Sequence, residues 1–273
     1  MREETKTLSI VGATLGIVFT VVASHGFEPA YGQAAKPDVD PKADALLRKM
    51  SSTLGNAATL QFDADHVLEV VTNDGEKLQF LAKSKVSVER PNKVRSDRVG
   101  AVADMTVRYD GNQLSIFGKK TKMYAQTEAP PTIEETLDFA RDKLGIEAPG
   151  ADLIYKSSYE GLMEDVISGR YIGLEPVGDR MCHHLAYRGN QTDWQIWIAD
   201  GDQAVPCRYV ITSKLMPSAP EYAVGMTNWN LEAKFRPDFF SFTPPTDAVK
   251  IEFLQLAKQA GQAKQKTQQG GRP

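Results

Sequence analysis

The sequence is poor in the residues that chemistry usually needs. Only two cysteines, Cys182 and Cys207, and four histidines occur in 273 residues. There is no G-x-S-x-G elbow, no glycine-rich phosphate loop and no H-E-x-x-H pair, so the common hydrolase, nucleotide and zinc-protease signatures are excluded. His183 and His184 are adjacent, and neighbouring residues of a regular strand point to opposite faces, so they do not chelate one metal. The carboxylate pairs Glu134-Glu135 and Glu164-Asp165 fall on helix faces that solvent covers. No catalytic residue, metal site or cofactor is expected. A net charge of −3, with Lys and Arg scattered rather than clustered, argues against nucleic acid as a partner.

One long apolar run is present. Residues 8–24 (LSIVGATLGIVFTVVAS) follow Arg2 and Lys6 and precede the small-residue stretch Gly32-Gln33-Ala34. The pattern reads as a signal peptide over residues 1–34, with an uncleaved inner-membrane anchor as the rival reading. No cysteine lies directly after this run, so self-lipidation is not expected. Roughly 240 residues remain, enough for one domain with a sizeable core. Residues 259–273, ending KQKTQQGGRP, have the composition of a disordered tail.

Two cysteines make no disulfide framework, although export makes one bridge chemically possible. A turn near 189–192 sets Cys182 opposite Ala199, and a turn near 200–204 sets Cys207 opposite Trp197. In a simple meander a strand then separates them, by roughly 9–10 Å. That exceeds disulfide reach, and two unpaired thiols are expected.

Between the termini the hydrophobic period is mostly two. Asp40-Pro41 reads as the start of a helix with a stripe of Leu46, Leu47, Met50 and Leu54, stopped by Gly55. Leu60, Phe62, Ala64, His66, Leu68 and Val70 then share one strand face. Asn73-Asp74-Gly75 turns the chain into a second strand whose apolar face carries Leu78, Phe80, Ala82, Ser84, Val86 and Val88. Arg90 falls on that same face, where a charge must be paired, reach water or hold something in place. Further strands are expected at 93–98, 104–109, 113–117 and 122–126.

The period then lengthens. Thr132 to Glu135 forms a capping box ahead of Ile133, Leu137 and Leu144, which gives a helix over 132–144. Ser157 to Glu160 forms a second box ahead of Leu162, Met163 and Val166, which gives a helix over 158–168. Strands resume at 170–177, 181–188, 193–199, 205–213, 222–234 and 239–242. An N-terminal helix, about ten antiparallel strands and a helical insertion describe one large curved sheet. Its concave apolar face must be covered, either by helices completing an ordinary core or by helices forming a lid over a ligand cavity.

Three short motifs carry a resemblance. ERPNKVR at 89–95, YDGNQLSIF at 109–117 and FSFTPP at 240–245 occur in the order seen in LolA, the periplasmic lipoprotein carrier, and its relatives LolB and RseB. CHHLAYRGNQTDWQIWI is more similar to an uncharacterised family of predicted periplasmic proteins placed near LolA. The resemblance covers most of residues 40–250. It implies an α+β, mainly antiparallel fold over residues 35–258: an unclosed half β-barrel with an N-terminal helix and a helical lid over the concave face. It also implies a periplasmic, non-enzymatic carrier of a lipid or acylated lipoprotein, with transient membrane contact. The alternatives are an RseB-like module regulating a cell-envelope protein, and a structural envelope protein with no ligand.

By this resemblance the Arg90-Pro91 pair is the lid latch, its guanidinium donating to the C-terminal carbonyls of the lid helices. An arginine that snorkels to water is the rival. Leu60, Phe62, Phe80, Val86 and Val88 then line the cavity. Ile133, Leu137, Leu144, Leu162, Met163 and Val166 form the lid's inner surface. The chain departs from a typical LolA in its extra length around 170–235 and in its two cysteines, so lipoprotein transfer does not follow from fold alone.

Overall fold

A computed structural model describes residues 37–253; the expected signal peptide and the 259–273 tail lie outside the described residues. The chain alternates as its periodicity dictates. A two-residue strand β1 (Asp38–Val39) leads into helix α1 (Pro41–Asn56), then β2 (Thr59–Val71), β3 (Lys77–Glu89), β4 (Lys93–Gly100), β5 (Met105–Tyr109), β6 (Gln113–Gly118) and β7 (Met123–Glu128). Helix α2 (Ile133–Leu144), a 3-10 turn at Ala151–Ile154 and helix α3 (Ser158–Met163) form the insertion. Strands β8 (Val166–Val177), β9 (Arg180–Gly189), β10 (Thr192–Ala199), β11 (Pro206–Ser213), β12 (Glu221–Asn230) and β13 (Val249–Lys250) complete the chain.

All 13 strands form one sheet in the order β1-β8-β9-β10-β11-β12-β2-β3-β4-β5-β6-β7-β13. Every pairing is antiparallel except the two outermost, β1 with β8 and β13 with β7. The two ends of the sheet are not paired to each other, so the expected α+β half-barrel, with helices set against an unclosed antiparallel sheet, is the fold observed. The β2–β3 hairpin sits at its centre with an unbroken register from Thr59 opposite Glu89 to Val71 opposite Lys77.

Helix α1 starts as the sequence indicates, with the Asp40 carboxylate accepting from the backbone N–H of Lys42 at 2.7 Å and Pro41 opening the helix. Its buried face is Ala43, Leu47, Met50, Ser51 and Leu54. Gly55 is not its stop, since the helix runs on to Asn56. The glycine instead permits close approach, because a Cβ there would lie 2.2 Å from the Lys156 carbonyl oxygen.

Four other expectations are corrected. Helix α3 is only six residues long, so Val166 is not a lid-helix residue but the first residue of β8. The Ser157 side chain makes no capping hydrogen bond, and without that cap the helix stays short. Residues 239–242 form no strand. That segment crosses the convex face, where Arg95 donates to the Phe239 carbonyl at 3.2 Å and Arg108 donates to that of Ser241. Strand β12 ends at Asn230 after a register shift between Thr227 and Asn230, not at 234.

The cysteine expectation is overturned outright: Cys182 and Cys207 form a disulfide, with Cα atoms 6.8 Å apart. Cys182 does face Ala199, but a bulge between Trp197 and Ile198 sets Ile198 opposite Pro206. Cys207 is the extra residue of that bulge. The even strand spacing behind the expectation therefore fails there, since a bulge bends and twists the strand locally.

Candidate functional site

Directly opposed residues of antiparallel strands share a face, and the concave face of the sheet can be followed this way. At one end lie Leu60, Val88, Val94 and Tyr109, and further along come Ala64, Ser84 and Arg98. His66 and Ala82 follow, then Leu68 with Phe80, and Val70 with Leu78 at the far end.

Arg90 sits at the first end. Its side chain is only 9% exposed, so its charge must be satisfied internally. One amino group donates to the carbonyls of Leu54, at 3.3 Å, and Tyr155, at 3.5 Å. The other lies 3.9 Å from the Glu134 carboxylate. That carboxylate also accepts the backbone N–H of Lys156. The adjacent Pro91 carbonyl accepts from the N–H of Ile133, the first residue of α2, at 3.1 Å. Burial pulls the Arg90 pKa down while Glu134 pushes it back up, and arginine stays charged in either case. A single cation thus joins the last turn of α1, the exit of the 3-10 turn and the first turn of α2. The carbonyls it meets belong to α1 and the 3-10 turn, rather than to α2 and α3, while α2 is held through its N-terminal carboxylate.

The other elements of the insertion are tied in similarly. Tyr155 donates to Asp138 of α2 at 2.9 Å. Tyr159 of α3 takes a hydrogen bond from Arg48 of α1 at 2.6 Å, and its N–H donates to Ser51 at 3.0 Å.

The residues assigned to a cavity wall divide into two sets. Leu60, Phe62 and Val88 are buried in the same cluster as Leu47, Met50 and Leu54 of α1 and Ile133 of α2. Phe62 also stacks on Trp229, with ring centroids 4.2 Å apart. Val86 and Phe80 are half-buried. Of the residues expected to form a lid, Ile133, Leu144 and Leu162 are buried, and Leu137 and Met163 are half-buried.

Two features escaped the sequence reading. His66 and Ser84 interrupt the apolar alternation of two facing strands, and that interruption was the available signal. His66 Nε2 lies 2.7 Å from the Ser84 hydroxyl and Nδ1 lies 2.6 Å from the Tyr222 hydroxyl. Burial first, and then the Arg98 charge, push the imidazole pKa down to about 4, so it is neutral at ordinary pH. The second feature is a cleft of about 470 Å³ between α3 and strands β10 and β11, bounded by Asp152, Leu162, Trp194 and Tyr209. No sequence motif marks it, because the 3-10 turn that presents Asp152 is positioned by contacts distant in sequence. Gly150 precedes that turn with φ of 81° and packs against the rings of Tyr209 and Tyr222, a left-handed conformation that suits glycine.

His183 and His184 point apart as expected. His183 meets Tyr171 and Asp200, whereas His184 is bracketed by Glu175 and Gln195 and stacks on Trp197. Among the described residues, no helix is long and apolar enough to cross a membrane.

No curated protein matches the chain. Solved structures similar to it include the following three. MucB matches with a TM-score of 0.44 and 15% identity, over 75% of this chain and 64% of its own. The Mycobacterium tuberculosis lipoprotein LppX gives 0.41 and 11%, over 71% and 98%. A LolA superfamily protein from Nitrosomonas europaea gives 0.37 and 10%, over 73% and 97%. The family model described as "Predicted periplasmic protein (DUF2092)" matches residues 43–254, and the chain belongs to that periplasmic family.

Proposed function

We propose that this protein is a non-enzymatic periplasmic binder and carrier of a hydrophobic ligand, an acyl-bearing lipid or lipoprotein. The observation that carries the reading is the length of the apolar stripe on the concave face. Interrupted by Ser84 and His66, it resumes past the buried cluster at Leu68, Phe80, Val70 and Leu78, and the last two are 40% and 38% exposed. A run of exposed aliphatic side chains on a curved surface costs solvation and marks a place where apolar partners bind. Leu60, Phe62 and Val88 continue this surface beneath the helices, so a chain entering at the open end meets the same face as the insertion is displaced. Arg90 is the latch that sets how readily α2 and the 3-10 turn move, and Pro91 anchors the start of α2.

The similar proteins support the reading by their descriptions, one being a lipoprotein and another a LolA superfamily member. Native mass spectrometry of protein purified from the exported fraction without detergent tests it. Acyl species at about one per chain are expected. Apo protein that also refuses added lipids and an apolar dye overturns it. A stoichiometric envelope protein without lipid would instead establish a partner-binding module, the role that a solved complex of MucB with MucA illustrates for that neighbour.

A further inference from the structure

We infer that the cleft between α3 and strands β10 and β11 binds an organic ammonium ion, with the Asp152 carboxylate as counter-ion and the rings of Trp194 and Tyr209 as its wall. The inference does not depend on the carrier reading: Trp194 shares a cross-strand row with Leu68 and Phe80 across the two intervening strands β11 and β12, but no residue of the stripe lines the cleft.

The decisive atom is Asp152 Oδ1, which is buried and has no hydrogen-bond partner. A carboxylate oxygen left in that state is costly unless a cation or donor completes it. Its surroundings supply no cation, only the backbone N–H groups of Leu153 and of Asp152 itself, which act on the carboxylate. The cleft lining contains no Lys or Arg. Lys214, the nearby cation, is engaged by the Gly189 carbonyl at 2.7 Å and by Asp193 at 3.1 Å. Two further carboxylates, Glu164 and Asp165, lie on the rim. Asp165 is already occupied by the Gln191 N–H and the Asn190 amide and Glu164 is exposed to solvent, which leaves Asp152 as the buried open acceptor.

The walls say what kind of cation fits. Trp194 and Tyr209 meet edge to face, with centroids 5.9 Å apart, and Leu162 adds an aliphatic side. One face of Trp194 is covered by Tyr187 at 4.0 Å; the rest of the ring and Tyr209 attract an ammonium group, and Leu162 meets a short hydrocarbon body. The carboxylates do not converge as a metal-binding group, so a single charged head on an apolar body is the better match. A cleft of about 470 Å³ is of small-molecule size.

The electrostatics agree with this geometry. Burial pushes the Asp152 carboxyl up to about 6. The Tyr209 and Tyr222 phenols behind it are pushed up by burial and stay neutral. Above that pH the site holds a buried negative charge, and ammonium binding relieves it.

Calorimetric titration of the full chain at pH 7.5 with n-hexylammonium, against 1-hexanol as the neutral isostere, tests the proposal. Hexylammonium should bind at least about tenfold more tightly than hexanol, the scale of one charge-assisted contact. Asp152→Asn should abolish that preference and spare hexanol binding, and lowering the pH to 5 should weaken only the cation. Leu162→Trp, which fills the cleft without altering charge, should remove both ligands with an unchanged circular dichroism spectrum. Equal affinities for the two probes, no heat with either, or a preference that survives Asp152→Asn overturns it. Lipid bound by a chain that ignores hexylammonium would refute this site and leave the carrier function standing.

Discussion

The Arg90 guanidinium reaches the Leu54 carbonyl of α1 at 3.3 Å while lying 3.9 Å from Glu134 of α2. Residues 36 and 44 positions away in the sequence thus share one buried charge. Breaking such a pair by removing one partner strands the other, at a cost of about 3–5 kcal/mol when it is fully buried. Glu134 is partly exposed, so Arg90→Leu should cost less, about 1–2 kcal/mol. Amide exchange should accelerate in α2 and around Tyr155 before it does in β2 and β3. Ligand exchange should speed up as well, and equal exchange rates in variant and parent would dismiss the latch.

Val70 and Leu78 face each other at the open end of the hairpin and are already solvated. Val70→Glu or Leu78→Glu should therefore change the unfolding free energy by no more than about 0.5 kcal/mol. Each should still weaken acyl-chain binding about tenfold or more, because the charge must be desolvated against the chain. A fluorescent fatty-acid displacement assay beside chemical denaturation separates the two effects. Binding that is indifferent to both substitutions would move the ligand elsewhere.

The His66 pair of hydrogen bonds gives stability a pH dependence. Folding holds the imidazole pKa near 4 against 6.5 for the free side chain, so below pH 6.5 the unfolded chain takes up a proton that the folded chain refuses. The contribution is complete above 6.5 and is lost as pH falls towards 4, amounting to about 1–2 kcal/mol after allowance for partial exposure. Asp152 works oppositely: its raised pKa favours the fold at low pH, and that advantage disappears as pH rises through about 6. Urea titrations from pH 4 to 7.5 should show His66→Gln flattening the acid-side decline and Asp152→Asn steepening it. Superimposable profiles for all three proteins would rule out both assignments.

The Cys182–Cys207 bridge closes a span of 25 residues that includes the whole of β10. Loop-closure entropy puts the stabilisation at about 3 kcal/mol. Reduction, or Cys182→Ser with Cys207→Ser, should lower the melting temperature by several degrees and loosen β9 to β11 first. A thermal scan with and without reductant decides this, and coincident transitions would count against it.

Much of this architecture could be read from the residues themselves, and the exceptions have definite causes. The β2–β3 hairpin is legible because one face is buried and a one-residue slip would invert every side chain. Arg90 was legible for the same reason, as a charge on the wrong side of an alternation. Val166 was misplaced because its spacing from Leu162 suits a helix as well as a strand start. Phe240 and Phe242 alternate like strand residues, yet the carbonyls of Phe239 and Ser241 before them accept from the Arg95 and Arg108 side chains instead of from a neighbouring strand. Cys207 depended on a bulge, and Asp152 on a turn held by Tyr209 and Tyr222, neither of which local periodicity encodes.

The two-residue strands β1 and β13 give the sheet its last property. An unclosed barrel exposes two edges, each a template on which a foreign strand can pair. Here Asp38 and Val39 lie along β8, and Val249 and Lys250 lie along β7. These short parallel ribbons act as selvedges over Ser168–Gly169 of β8 and Met123–Tyr124 of β7 alone. Recognition by adding a strand is therefore obstructed only where these ribbons lie, and Arg170–Val177 of β8 is left as the longer margin along which such a partner would pair.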